Sequence, residues 1–221
     1  MHDAIPDAGL YQPLFSPWLG LGEFPRFLRR TEGNTLVSAD RCYILYSLAR
    51  QALNIEGEFW ECGVYKGGTA ALLAQVLADL PATLRRNLRL FDTFQGMPEV
   101  DSARDLHSAG DFADTSVQAV KAVVDHDHQV FYHQGFIPET FAGLEPARIA
   151  FAHVDVDIYK SVQDCCKFIF PRLSRGGFIV FDDYGFRTCP GARAAVDEYF
   201  QGTGFIPLVL PTGQAVIFKN A

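Results

Sequence analysis

Four carboxylates stand where a fold can bring them together: Asp155 and Asp157 in HVDVDIYKS, and Asp182-Asp183 in GGFIVFDDYG. Each pair ends a short apolar run, at 149–154 and 178–181. Between the runs, residues 161–173 carry apolar side chains at helical spacing, and Arg175-Gly176-Gly177 is expected to stop that helix. A helix joining two short apolar strands makes the strands parallel. If they pair directly, their carboxyl ends lie about 5 Å apart. The four carboxylates then share the sheet edge at which open α/β folds bind ligands. Carboxylates this close repel unless something positive joins them, and a hard divalent cation is the natural candidate. A single Asp means little, because carboxylates cap helices and occupy loops everywhere. An Asp-Asp at one strand end beside an Asp-x-Asp at another is harder to explain that way.

A second constellation lies upstream. Residues 58–62 read as a strand, followed by Gly63-Val64-Tyr65-Lys66-Gly67-Gly68-Thr69, a helix over 70–80 that Pro81 closes, and a strand over 88–91 that ends at Asp92. Strand, glycine turn, helix, strand and acid is the plan of nucleotide-binding βαβ units. In these the glycines admit the ligand to the backbone and the acid accepts ribose hydroxyls. The turn is GVYKGGT rather than GxGxxG, and Glu61 stands just before it. Alone, such a turn also reads as a tight strand-to-helix connection; Asp92 at the next strand end favours a ligand site.

The remaining elements fit one α/β domain. A helix is expected over 38–53 with Ser38 as its N-cap, a short one over Val117–Val124 with Ser116 as cap, and another over 192–200. A strand over 129–132 precedes Gly135 and Phe136. Residues 205–209 and 215–219 flank Pro211-Thr212-Gly213 as a closing hairpin. Residues 1–35, rich in Pro, Gly and aromatics, read as an arm or lid with one or two short helices, and 36–221 as the domain proper. The apolar cluster Leu14, Phe15, Trp18, Leu19, Leu21 and Phe24 in that arm needs cover, from the site mouth or a second copy, so a homodimer is expected.

Composition narrows the partners. The 221 residues are 48% hydrophobic with a net charge of −7 and scattered basic residues, so no nucleic-acid partner is expected. No apolar run reaches about 18 residues, which argues against a membrane span. The start, MHDAIPDAGL, lacks a signal-peptide pattern, and five cysteines without a CxxC pair suit a reducing, cytoplasmic setting. Cys165-Cys166 read as core thiols.

Parallel strands finished by an antiparallel hairpin outline the class I S-adenosylmethionine-dependent methyltransferases: a Rossmann-like α/β fold with a mostly parallel seven-stranded sheet and helices on both faces. Within that class, ExGVYxGGT (61–69), FDTFQGMPE (91–99), HVDVDIYKS (153–161) and GGFIVFDDYG (176–185) together resemble the macrocin O-methyltransferase family, over about residues 36–200. The arm is shorter than is usual there. The resemblance implies metal-dependent transfer of a methyl group from S-adenosylmethionine to a hydroxyl of a small molecule, a sugar or other natural-product moiety. It implies that Glu61, Gly63, Tyr65, Gly67, Gly68, Thr69 and Asp92 bind the cofactor, with Thr69 near its carboxylate and Asp92 on the ribose. Gly135 and Phe136 would line the adenine. Asp155, Asp182 and Asp183 match the family's metal positions and would hold Mg²⁺ or a similar cation.

The general base is less defined. Catechol-type relatives carry a lysine where this chain has Ile158, and Lys160 lies two residues further on. Asp157, two residues from Asp155 and so on the same face if the strand continues, is the first choice; His153 reads as a core histidine, and His107 and His133 carry no assignable role. Two other enzyme classes compete. An NAD-dependent oxidoreductase fits the glycine turn but has no use for Asp182-Asp183. A metal-dependent hydrolase leaves 61–69 and Asp92 idle. A non-catalytic binding module on the same fold leaves the whole metal set unexplained.

Overall fold

The computed structural model describes residues 16–126 and 129–220. Strands β1 (Glu58–Cys62), β2 (Leu88–Asp92), β3 (Val130–Gln134), β4 (Ile149–Val154) and β5 (Leu173–Phe181) run parallel, and β6 (Leu208–Val209) and β7 (Ala215–Phe218) close the sheet antiparallel. The seven strands lie in the order β3-β2-β1-β4-β5-β7-β6. The order reverses between β1 and β4, which is where such sheets open a crevice.

The alternation of strand side chains sorts the core into two layers. Phe59, Leu88, Leu90, Phe151, Phe178 and Val180 point to one face. They meet α2 (Ala39–Ala52), α3 (Gly68–Ala78) and α4 (Val117–Val124). Trp60, Phe91, Ala152, Val154, Ile179 and Phe181 point to the other, against α5 (Tyr159–Arg172) and α6 (Pro190–Phe200). Cys165 and Cys166 are fully buried thiols of this second layer. With helices on both faces, β4 is buried along its whole length, which is why it reads as an unbroken apolar run.

Several boundaries shift for local reasons. The Arg175-Gly176-Gly177 stretch does not stop a helix: α5 ends at Arg172, and these residues lie inside β5, its Gly176 N–H bonded to the Lys219 carbonyl. Ser38 stands at the N-cap of α2, but its hydroxyl bonds the Asp40 carboxylate rather than a backbone N–H. Ser116 does cap α4, accepting from the Ala119 N–H at 3.2 Å.

The described part of the arm is built into the first core layer. A 3-10 turn (Pro17–Leu19) leads to α1 (Phe24–Leu28), whose Phe24 and Phe27 are 1% exposed. Phe24 packs on Tyr43, ring centroids 5.2 Å apart, and Phe27 on Tyr46 at 4.6 Å. Leu14 and Phe15 lie outside the described residues. Among the described residues no helix is long and apolar enough to cross a membrane.

Candidate active site

The carboxyl ends of β1, β2, β4 and β5 surround a cavity of about 290 Å³. Gly63, Tyr65, Thr69, Asp92, Gly135 and Phe136 line one part of it, and Asp155, Asp157 and Asp183 another. Glu61, Gly67, Gly68 and Asp182 do not reach its wall.

The glycine turn exists because two strand ends nearly touch. Gly63 has φ +83, and a Cβ there would lie 1.7 Å from the Asp155 carbonyl oxygen. Glycine therefore lets β1 and β4 open side by side. Gly68, the first residue of α3, is needed for a different contact: its Cβ would meet the Asn34 carbonyl oxygen at 2.7 Å, where the arm crosses the helix start.

Asp92 organises the turn from below. Its Oδ2 accepts the Val64 and Tyr65 N–H groups at 2.7 and 3.0 Å, and its Oδ1 accepts the Phe94 N–H at 2.7 Å. A carboxylate has about four acceptor sites, so capacity remains for a hydroxyl from the cavity. Tyr65, held at φ 49, donates its hydroxyl to Asp114 at 2.8 Å, which ties the turn to the 95–116 loop. Phe136 is 56% exposed at the cavity mouth, so it is not a core aromatic.

The aspartates divide in two. β4 ends at Val154, so Asp155 and Asp157 do not share a strand face; Asp157 sits in a left-handed turn at φ 56, its N–H donating to Asp183 Oδ2 at 3.0 Å. Both still face the cavity. Asp182 turns the other way, into a buried file of alternating charge. Glu61 Oε1 meets His153 Nδ1 at 2.8 Å, and His153 Nε2 lies 3.5 Å from Asp182 Oδ1. Asp182 Oδ1 also accepts from Gln214 Nε2 at 2.8 Å, and its Oδ2 is paired with Arg41.

Protonation follows these surroundings. Burial pulls the His153 imidazole down, but its contacts with Asp182 and Glu61 outweigh it and hold the ring well above its ordinary value, as an imidazolium. Burial pushes Asp182 up, yet His153 and Arg41 prevail and keep it below the usual carboxylate range. For Asp155 the same His153 and Arg41 pull down but do not prevail, and Asp183 has only the Asp157 N–H in its favour. Burial first, then the neighbouring aspartates, push both far above that range. No donor among the described residues bonds the Asp155 carboxylate.

These facts test the cation expected from the sequence. Two cavity-facing carboxylates that cannot both ionise without help fit a hard divalent ion. Asp155, Asp182 and His153 also present ligand atoms within 4.8 Å of one another. The expected trio is not brought together as a ligand set: Asp182 is engaged by Arg41 and Gln214 and does not reach the cavity wall that Asp155 and Asp183 share. Arg41 and Gln214 carried no signal in the sequence: they reach Asp182 from 141 and 32 residues away. The residues Asn34, His107, Phe186 and Cys189 on the cavity wall were equally silent.

Comparison with known proteins points to one family. A model of the macrocin-O-methyltransferase (TylF) family matches residues 30–208. The chain is 31% identical over 191 residues to the 8-demethyl-8-(2,3-dimethoxy-alpha-L-rhamnosyl)-tetracenomycin-C 4'-O-methyltransferase of Streptomyces olivaceus, spanning 79% of this chain and 72% of that one. It is 29% identical over 184 residues to the mycinamicin III 3''-O-methyltransferase of Micromonospora griseorubida, at 76% and 71% coverage. The solved O-methyltransferase NovP superposes with a TM-score of 0.76 at 25% identity, over 85% of this chain and 83% of that one.

Proposed function

This chain belongs to the macrocin O-methyltransferase family, S-adenosylmethionine-dependent O-methyltransferases, and we propose that it methylates a hydroxyl of a sugar or other natural-product moiety with the aid of a Mg²⁺-like cation. The observation that carries the reading is the pairing of a glycine-turn cofactor cradle with buried, mutually repelling aspartates on one cavity. The Streptomyces olivaceus relative acts, by its name, on a rhamnosyl compound, and the cavity wall here is aromatic and polar rather than basic. A neutral polyhydroxylated acceptor suits such a wall.

In this reading the methionine end of S-adenosylmethionine lies along Gly63–Thr69, and Thr69 donates to its carboxylate at the start of α3. Asp92 receives the ribose hydroxyls and Phe136 covers the adenine beside Gly135. Gly67, Gly68 and Glu61 act from behind the wall: the glycines let the turn and the arm pack, and Glu61 orients His153. Asp155 and Asp183, with Asp182 once freed from Arg41, would hold the cation. Its chemistry when bound is to polarise the acceptor hydroxyl and lower its pKa.

The acceptor oxygen attacks the methyl carbon in line with the carbon–sulfur bond. That bond breaks with its electron pair going to sulfur, and the hydroxyl proton passes to Asp157. Burial, chiefly, holds the Asp157 carboxyl above its ordinary value, which suits a base working near neutral pH. The exposed Leu19 and Leu21 of the arm favour cover by a second copy, so a dimer is included in the proposal.

The test is methyl transfer from S-adenosylmethionine to a panel of glycosylated and aglycone acceptors, with Mg²⁺ and after exhaustive chelation. Transfer to glycosylated acceptors that needs the cation is expected. Full turnover after chelation overturns the metal role; turnover confined to aglycones overturns the acceptor class.

A further inference from the structure

Three side chains on the cavity wall have no place in the scheme as a group: His107 from the 95–116 loop, Asp157 from the turn after β4, and Cys189 at the N-cap of α6. We propose that they form a second cation site, for a borderline-soft divalent ion of the Zn²⁺ class, with the fourth coordination position open to the cavity. An ion held there takes the Asp157 carboxylate that the proposed transfer uses as its base, so it excludes that transfer while bound; its binding does not depend on which acceptor the enzyme takes.

The distances carry the proposal. His107 Nε2 lies 3.6 Å from Asp157 Oδ1; the Cys189 thiol donates to Asp157 Oδ1 at 3.5 Å and is hydrogen-bonded to His107 Nε2 at 3.6 Å, contacts that an ion would replace. Around a tetrahedral zinc, bonds of about 2.0–2.3 Å put nitrogen, oxygen and sulfur ligands about 3.3–3.6 Å apart. A ring nitrogen and a carboxylate oxygen at 3.6 Å are too far apart for a hydrogen bond, yet suitably spaced to share an ion. One imidazole, one carboxylate and one thiol select a Zn²⁺-like ion over Mg²⁺, which prefers oxygen alone.

The histidine is also oriented as a metal ligand is. Its Nδ1 sits 3.1 Å from Asp111 Oδ2, and that oxygen is fixed in turn by the Ser108 N–H at 3.0 Å. A carboxylate on the far ring nitrogen turns Nε2 toward the ion and raises its basicity. The His107 and Asp157 side chains are 17% and 19% exposed, so the cluster is sheltered but open on the cavity side. It is distinct from the hard-ion set, although Asp157 links the two through its N–H on Asp183.

Cobalt(II) is the probe, titrated into the full-length protein kept reduced with a phosphine and saturated with Mg²⁺. One equivalent should raise a near-UV thiolate-to-cobalt charge-transfer band together with the visible bands of a four-coordinate ion, and Zn²⁺ should displace both. Cys189→Ser should abolish the charge-transfer band. His107→Gln should weaken cobalt binding at least tenfold, and Asp111→Asn about 10- to 100-fold. The proposal is overturned if the folded protein gives no thiolate band, if the band survives Cys189→Ser, or if His107→Gln binds cobalt as tightly as the parent.

Discussion

Replacing Arg41 by Met removes the cation that neutralises a fully buried carboxylate. The Arg41 and Asp182 side chains are 13% and 0% exposed, and the guanidinium also bonds the Leu36 carbonyl at 2.8 Å and lies 4.9 Å over the Phe186 ring. Breaking one side of a buried pair costs about 3–5 kcal/mol. The lower figure applies here, because Asp182 keeps Gln214 and His153 and can shed part of the cost by binding a proton. A loss of about 3 kcal/mol in a domain of this size lowers Tm by about 6–12 °C. If Arg41 stands where an ion can replace it, added Mg²⁺ should recover much of that loss, since an ion at 100 times its Kd stabilises by about 2.7 kcal/mol. The assay is calorimetric melting of parent and variant, each with Mg²⁺ and with chelator. The Mg²⁺ shift should be larger in Arg41→Met than in the parent, and the double variant with Asp182→Asn should regain stability while losing the shift. An equal deficit with and without Mg²⁺ would refute the exchange and remove Asp182 from the ligand set; no deficit at all would mean the pair gives no net stability.

Three further outcomes follow from the same contacts. Asp92→Ala should weaken S-adenosylmethionine binding about 10- to 100-fold by calorimetry, through a lost charge-assisted contact and through release of the Val64 and Tyr65 amides; unchanged affinity would take Asp92 out of the site. Asp155 and Asp183, pushed up by burial and then by neighbouring aspartates, bind more protons folded than unfolded. Without cation, stability should therefore fall as pH rises from about 4 through their raised values, whereas Asp182, held low, matters only below about 4. Urea denaturation across that range should show the decline, flattened by Mg²⁺ or Asp183→Asn; stability that rises instead would contradict the crowding. Phe27→Ala should cost about 3–5 kcal/mol, because the ring is buried on Tyr46 within the main core layer; a loss under about 1 kcal/mol in a denaturant titration would mean the arm only rests on the domain.

The architecture, and the sheet edge that carries the candidate site, were legible in the sequence. Apolar runs, helical spacing and glycine punctuation are local signals. Parallel strands joined by helices must then bring their carboxyl ends, with Gly63, Asp92, Asp155 and Asp183, to one edge. Which way each side chain points at that edge was decided by tertiary structure alone. Asp182 and Asp183 are consecutive, and consecutive residues at a strand end face opposite sides. One is drawn into the buried file with His153 and Arg41, and the other opens to the cavity. Strand alternation misplaced Asp157 for a similar reason: β4 has already ended, and the left-handed turn that aims its carboxylate is held by Asp183, from another strand. Glu61 kept its place in the motif but lost the cavity, because His153 of the adjacent strand stands beside it in register. Arg41, Gln214, His107 and Cys189 left no trace in spacing, since their contacts with Asp182, Asp157 and each other span 32 to 141 residues and form only once the sheet and its helices have packed.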